Sequence, residues 1–167
     1  MRVRIARPVV IGLLGLLMLA SCGGGDDEEN TLSEEEMVRQ GNEICVGTAQ
    51  RIEQESAARL GSDQNVGSTQ QFEDFATKIV VPEMDSAVDR LEGLRVPEEE
   101  KDDFDDYLSE IRKALDDDLK QDPVGSLSQV EAQDPFIKAN RQARRLGLSE
   151  CATLSDKIRR SADRSPR

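Results

Sequence analysis

Apolar side chains recur every three or four positions along most of this 167-residue chain, on a background in which 34% of residues are charged. That spacing places the apolar residues on one face of an α-helix, whereas a half-buried strand would need strict alternation. The aromatic residues are only four Phe and one Tyr, so the core must be aliphatic and thin. Four such helical segments predict an all-α fold, a single up-down four-helix bundle over residues 32–154.

The first two helices are predicted from the residues at their ends and from a stripe of apolar residues along one face of each. The first begins at Ser33, which forms a capping box with Glu36, and ends near Leu60. The second covers about Thr69 to Leu94, where Pro82 removes a backbone hydrogen bond. Because the apolar stripe continues in phase across Pro82, we expect a kink there. The inward face of the first helix is predicted to carry Met37, Gly41, Ile44, Cys45, Thr48 and Ile52.

The third helix is predicted to start near Pro97 and to end at Asp122, because a residue before proline is disfavoured in helical geometry. A polar stretch over residues 125–133 follows and is predicted to be partly helical. The inward face of the third helix is predicted to carry Phe104, Tyr107, Leu108, Ile111, Leu115 and Leu119.

The fourth helix has Asp134 as its predicted N-cap, with Pro135 in the first position. Gly147 is the predicted glycine at its C-terminal end, and Leu148 is expected to pack back on the helix. After Cys151 we expect the chain to fray into a basic tail over residues 155–167.

The N-terminal segment predicts export. Residues 1–21 start with three arginines and no acid, and continue as a short apolar run. The run is shorter than the roughly 20 residues that span a bilayer, so the pattern is typical of a secretory signal peptide. It ends in Leu19-Ala20-Ser21-Cys22, which resembles the lipobox of bacterial lipoproteins. This resemblance implies cleavage before Cys22, lipid on its thiol, and a cell-membrane anchor on the extracytoplasmic side. Residues 22–31 are predicted to be a flexible acidic tether.

With Cys22 lipidated, Cys45 and Cys151 remain. An even pair in an exported protein predicts a disulfide, and the first and last helices of a four-helix bundle are neighbours. The alternative is a redox-active or metal-binding pair. The chain has no Cys-x-x-Cys, no histidine and no third soft ligand to favour that alternative.

Two elements carry a wider resemblance: Glu-Met-Val-Arg-Gln-Gly-Asn-Glu-Ile-Cys at 36–45, and Asp-Pro-Phe at 134–136 followed by Gly-Leu-Ser-Glu-Cys at 147–151. With the lipobox and the proline-kinked second helix, they resemble small lipoproteins of unassigned function from actinobacteria. In that family, Asn-x-x-Cys and Gly-Leu-x-x-Cys elements bracket the domain and are taken to pair. The resemblance spans nearly the whole mature chain and implies a helical bundle with a disulfide, but no activity.

Charge is spread unevenly along the chain. The total is −12, yet residues 134–167 hold nine basic and four acidic residues, so this segment carries +5 and residues 22–133 carry −20. An acidic body argues against nucleic acid and against general binding to anionic lipid. The basic segment either forms ion pairs with acidic residues of its own domain or forms a binding patch, and both interpretations stay open. The patch would consist of Arg141, Arg144, Arg145, Lys157, Arg159 and Arg160.

The sequence offers little chemistry. It lacks histidine, nucleophile-elbow, P-loop, dinucleotide and zinc patterns, so we predict no catalytic residues, no cofactor and no enzyme activity. Two acidic clusters are candidate calcium sites. The first lies on a predicted helix, so its carboxylates point to different faces, and the second lacks the ligand order of an EF-hand, so we predict no metal site. These clusters are Asp102, Asp103, Asp105 and Asp106, and Asp116, Asp117, Asp118 and Asp122.

Three hypotheses remain for function. The leading one is a membrane-tethered helical interaction module that binds an envelope protein or another envelope component. The second is a carrier that holds a small apolar ligand or lipid between helices, which would need a cavity in the thin core. The third, a hydrolase, would need a cleft with convergent carboxylates.

Overall fold

The computed structural model describes residues 31–60, 69–128 and 134–163. Within them the chain is helical and contains no strand, so the all-α prediction is confirmed. The predicted signal peptide, Cys22 and the tether up to Asn30 lie outside the described residues. The helices are α1 (Glu34–Leu60), α2 (Thr69–Phe75), α3 (Val81–Glu92), α4 (Glu98–Lys113), α5 (Pro123–Ser128), α6 (Ile137–Arg145) and α7 (Leu154–Asp163).

Helix α1 follows the prediction closely. The Ser33 hydroxyl accepts the N–H of Glu36 at 3.2 Å, which is half of a capping box. The Glu36 carboxylate does not reach back to residue 33 and instead accepts hydrogen bonds from Arg39 and Gln40. The hydrogen bond from Arg39 lowers the pKa of Glu36 to about 2. Ile44 is only half-buried, and the buried face of α1 consists of Met37, Gly41, Cys45, Thr48, Ile52, Ser56 and Leu60.

A π-helical segment, Ala76–Val80, joins α2 to α3 directly in front of Pro82. The N–H of Val81 donates to the carbonyl of Ala76, five residues back instead of four. A π-turn and a proline are each a known cause of helix irregularity. The predicted irregularity at Pro82 therefore takes the form of a widened turn, and the stripe continues through it with Phe75, Val80 and Met84 buried.

Helix α4 also ends in a π-helical segment, Ala114–Leu119, which the sequence pattern did not predict. Leu115 and Leu119 remain buried in it, so the stripe is preserved although the hydrogen-bond register changes. Asp122 then accepts the N–H of Gly125 at 2.9 Å and caps the short helix α5. Helix α5 starts two residues before the stretch of 125–133 that was predicted to be partly helical and covers it as far as Ser128, while residues 129–133 lie outside the described part.

The basic tail predicted for residues 155–167 is wrong as far as Asp163, because Leu154–Asp163 forms helix α7. Its narrow stripe of Leu154, Ile158 and Ala162, four residues apart, is buried. The Ser56 hydroxyl of α1 donates to the carbonyl of Ser161 at 2.9 Å and fixes this contact. Three small or aliphatic residues among Ser, Asp, Lys and Arg were too sparse a stripe to be recognised in the sequence.

The buried faces of the helices determine which helices pack against each other. Helix α1 contacts α3 and α7, α3 contacts α4, and α4 contacts α6, while α5 lies against α2 and α7. The element that closes the bundle on α1 is therefore α7, rather than the fourth predicted helix, α6. Among the described residues, no helix is both long enough and apolar enough to cross a membrane.

Candidate functional site

The two sequence elements that bracket the domain meet in space. Cys45 and Cys151 form the predicted disulfide, with their Cα atoms 5.0 Å apart. One helical turn before Cys45, the Asn42 side chain donates to the carbonyl of Gly147 at 3.2 Å and accepts the N–H of Glu150 at 2.9 Å. Asn42 and Cys45 therefore hold the same loop segment of residues 147–151, Asn42 by hydrogen bonds from its amide and Cys45 by a covalent bond.

The loop can approach α1 because two glycines permit it. Gly147 has φ of 73°, a left-handed conformation that favours glycine, and the N–H of Leu148 donates to the carbonyl of Ala143 at 2.8 Å to close the end of α6. On α1, a Cβ at Gly41 would lie 2.6 Å from Cδ2 of Leu148. Leu148 thus packs on α1 itself and ties the loop that follows α6 to the first helix.

Asp134 forms the centre of a buried polar cluster between α6 and α7. Its carboxylate accepts the N–H of Phe136 at 2.9 Å. Helix α6 begins at Ile137 with Phe136 as its N-cap residue, so Asp134 stabilises the turn before the helix and the N-cap predicted at Asp134 lies two residues too early. It also accepts the Ser155 hydroxyl at 2.8 Å and pairs with Arg159 at 3.0 Å. The Asn140 amide donates to Ser155 Oγ at 3.0 Å. The side chain of Asp134 is 3% exposed and that of Arg159 12%, so this ion pair is almost shielded from water.

A pocket of about 200 Å³ opens beside this cluster, along the groove between α6 and α7. Asp134 and Asp156 stand at one wall, and both already bind Arg159. The other walls come from four α6 residues spaced three, one and three positions apart, so that they share one side of that helix. These residues are Ile137, Asn140, Arg141 and Arg144.

The structure divides the predicted basic patch into two groups. Lys157 pairs with Glu150. Arg159 pairs with Asp134 and Asp156. These two cations therefore form ion pairs within their own domain. The remaining four are exposed and form no ion pair with any described residue. They are Arg141, Arg144, Arg145 and Arg160. Both interpretations of the basic segment therefore apply, each to different residues.

Helix α6 carries four cations that form no ion pair with a residue in the described part of the chain. Its nine residues contain four cations and no acid, and Lys138 joins the three arginines on its exposed side. Arg144 and Arg145 lie in the last turn, where the helix dipole favours cations. Arg141 lies a turn earlier and gains less from the dipole. We call the exposed residues Ile137, Lys138, Arg141, Arg144 and Arg145 the α6 face.

A second, more open groove of about 360 Å³ lies over α1 and α3 and differs in its electrostatics. Its Arg39 binds Glu36 and Glu43, which raises the pKa of Arg39. Its Arg90 donates to the Thr48 hydroxyl at 2.8 Å, and burial lowers the pKa of Arg90. The charged groups of this groove are thus engaged with neighbours on α1 and α3, and they offer less to a ligand than the α6 face does.

Among the residues that the structure describes, no group of three or more acidic or cysteine side chains could hold a metal ion. In the two acidic clusters, Asp105 pairs with Lys101, Asp116 pairs with Lys120, and Asp122 caps α5. Sequence reasoning missed Ile137, Asn140 and Asp156 as pocket residues. The i, i+3 spacing of Ile137 and Asn140 on α6 was visible, but helix α7, which carries Asp156 and completes the pocket, was not recognised.

A comparison with protein-family models, curated proteins and solved structures finds no match to the chain. Function must therefore be argued from the residues of the site itself.

Proposed function

We propose that the protein is a membrane-anchored, extracytoplasmic binding module of a bacterial cell envelope. In this proposal, lipid on Cys22 tethers the domain, as in the small actinobacterial lipoproteins that the chain resembles, and the α6 face engages an acidic segment of an envelope protein. The observation that carries the binding role is the set of unpaired cations on α6. A protein of net charge −12 has acids to spare, yet Arg141 and Arg144 bind none of those described.

Two features support the location. The lipobox-like Leu19-Ala20-Ser21-Cys22 supplies a thiol for lipid attachment. The Cys45–Cys151 disulfide suits an oxidising compartment outside the cytoplasm. The two pockets described here are lined mainly by charged side chains, and so lend no support to a carrier of apolar ligands. The two pocket carboxylates, on Asp134 and Asp156, both bind Arg159, an arrangement that suits positioning rather than hydrolysis.

The anchor is tested by metabolic labelling of the full chain with a palmitate analogue. We expect label on the wild-type protein, a mature form that starts at Cys22, and no label on Cys22→Ala. An unlabelled protein that still begins with Met1 would contradict the anchored location.

The binding role is tested by calorimetric titration of poly-L-glutamate into the mature chain carrying Cys22→Ala. We expect binding at low ionic strength that weakens as salt rises, because exposed charges are screened. A variant in which all four α6 cations become glutamine should lose this binding. These substitutions are Lys138→Gln, Arg141→Gln, Arg144→Gln and Arg145→Gln.

A matched control neutralises four exposed cations that already pair with acids three or four residues away in the chain. It has the same net charge as the α6 variant, so long-range electrostatics affects both equally. The proposal requires this control to retain binding, and equal loss in both variants contradicts a role for the α6 face. The control substitutions are Arg39→Gln, Arg59→Gln, Lys78→Gln and Lys101→Gln.

A further inference from the structure

We infer that the pocket between α6 and α7 receives a single glutamate-like carboxylate of the partner, held by Arg141 and Arg144. This inference rests on the proposed function and adds a specificity for one kind of side chain in the partner. The α6 face as a whole would attract an acidic segment, whereas the pocket would select one side chain within it.

The size of the pocket favours one functional group over a whole ligand. Its volume of about 200 Å³ is below the range of about 300–1,000 Å³ usual for drug-sized ligands. A carboxylate with a short aliphatic stem needs less room than a cofactor. The pocket is also open along a groove between two helices, so a side chain can enter while its backbone stays outside.

The hydrogen-bond donors available in the pocket match a carboxylate. Each guanidinium has five N–H donors in a planar fork that fits a carboxylate in a bidentate manner. Both terminal nitrogens of Arg159 already bind carboxylates, one that of Asp134 and the other that of Asp156. Arg141 and Arg144 donate to no described residue, so their forks remain available.

The charge of the site matches a single anion. Among the lining residues, Arg141 and Arg144 balance Asp134 and Asp156. Arg159 does not line the pocket but is bound to both aspartates, and its charge brings the total to +1. One carboxylate neutralises this excess. A second one would meet the two aspartates at the far wall, and a cationic ligand would meet the excess charge.

An apolar contact favours the longer aliphatic part of a glutamate side chain over that of an aspartate. Ile137 is 41% exposed and is the one large hydrophobic side chain exposed among the described residues. It lines the pocket beside the arginines. The two methylenes of a glutamate would cover part of it, whereas an aspartate has one methylene and covers less.

The test compares Arg141→Gln and Arg144→Gln with Arg145→Gln in the same poly-L-glutamate titration. All three remove one exposed charge from α6, but only the first two remove a pocket residue. We expect each pocket variant to bind about tenfold more weakly, because a charged hydrogen-bonding partner is lost. Arg145→Gln should change the affinity by less than about twofold, because it acts only through the screened field.

Two further variants sharpen the result. Asp156→Asn removes a negative charge from the pocket wall and should strengthen binding about twofold to fivefold. Poly-L-glutamate should bind more tightly than poly-L-aspartate of equal length, and Ile137→Ser should abolish that preference.

The outcomes separate this inference from the proposed function. If the wild-type chain binds poly-L-glutamate but Arg145→Gln weakens binding as much as Arg141→Gln does, the α6 face stands and the pocket inference fails. If inorganic phosphate displaces the polymer better than glutarate does at equal concentration, the choice of a carboxylate is wrong. If the wild-type chain does not bind the polymer at all, the proposed function fails as well.

Discussion

Two arginines in this bundle each bind several carboxylates, but at different depths. Arg112 on α4 contacts Asp85, Asp89 and Glu92 of α3, with its own side chain 28% exposed and its partners 39–67% exposed. Among the described acids, Arg159 on α7 contacts two, Asp134 and Asp156, yet its side chain is 12% exposed and that of Asp134 is 3%. The surface arginine has more partners, whereas the buried one has better-shielded partners.

The comparison shows which side of the bundle depends on its polar groups. Exposed ion pairs contribute about 0–1 kcal/mol because water and salt screen them, whereas removing one partner of a buried pair costs about 3–5 kcal/mol. The α1–α6–α7 side also carries the Cys45–Cys151 disulfide and the Asn42 clamp. The α3–α4 side relies on surface pairs such as those of Arg112. We therefore expect substitutions on the first side to have the larger effects.

The largest effect should come from removing the disulfide with Cys45→Ala and Cys151→Ala. The bond joins residues 106 positions apart, and closing a loop of this length is worth about 4–5 kcal/mol in the chain-entropy model. Urea titration should show a loss of this size in the free energy of unfolding. The reduced wild-type chain serves as the control and should match the double variant. A loss below about 1 kcal/mol would show that the polar contacts alone hold this side together.

The second effect should come from Asp134→Ala. The substitution leaves Arg159 nearly buried without its main partner, and it removes the acceptor of the Phe136 N–H and the Ser155 hydroxyl. We expect a loss of about 3 kcal/mol in the same titration. The control is Asp156→Ala, because Asp156 is 28% exposed and should cost about 1 kcal/mol. Equal losses would remove burial as the explanation for the contrast.

A smaller effect is expected for Arg112→Gln, although three carboxylates lose their cation. The loss should stay below about 1 kcal/mol, because all four side chains are open to water. It should also shrink in high salt. A reference is Lys101→Gln, which breaks one exposed pair with Asp105. An Arg112 effect as large as that of Asp134→Ala would mean that partner number outweighs burial.

The smallest effect concerns pH at the start of α1. The Arg39 hydrogen bond lowers the pKa of Glu36 from 4.5 to about 2 in the folded chain, so the stabilisation is present above pH 4.5 and is lost as the pH falls toward 2. A carbon-detected NMR titration of the Glu36 carboxyl group should show this low pKa. In Arg39→Gln the pKa of Glu36 should return toward its ordinary value. Titration of the wild-type carboxyl near pH 4.5 would contradict the contact.

Features of the fold that follow from the local spacing of residues could be predicted from the sequence, and other features could not. The stripe of α1 and the Cys45–Cys151 bond were predicted correctly, because periodicity and cysteine number are direct sequence properties. Helix α7 was missed because Leu154, Ile158 and Ala162 are separated by polar residues. The π-helical segments were missed because a change from four-residue to five-residue hydrogen bonds leaves the apolar pattern almost unaltered.

The pocket could be predicted only in part, for a different reason. Arg141, Arg144, Lys157 and Arg159 are equivalent in a sequence that merely counts basic residues. Which of them meets an acid depends on how α6 and α7 lie against each other and on Asp134, whose predicted role was a helix cap alone. Tertiary packing, not composition, thus distinguishes the cations that stabilise the domain from those that remain available.

The pairing of the first helix with the last has a consequence for biosynthesis. A ribosome adds about 5–20 residues per second, so roughly 5–20 s pass between the synthesis of Cys45 and that of Cys151, 106 positions later. During that interval the nascent α1 lacks the helix that covers much of its apolar side. The chain is therefore most exposed to aggregation before its final residues arrive.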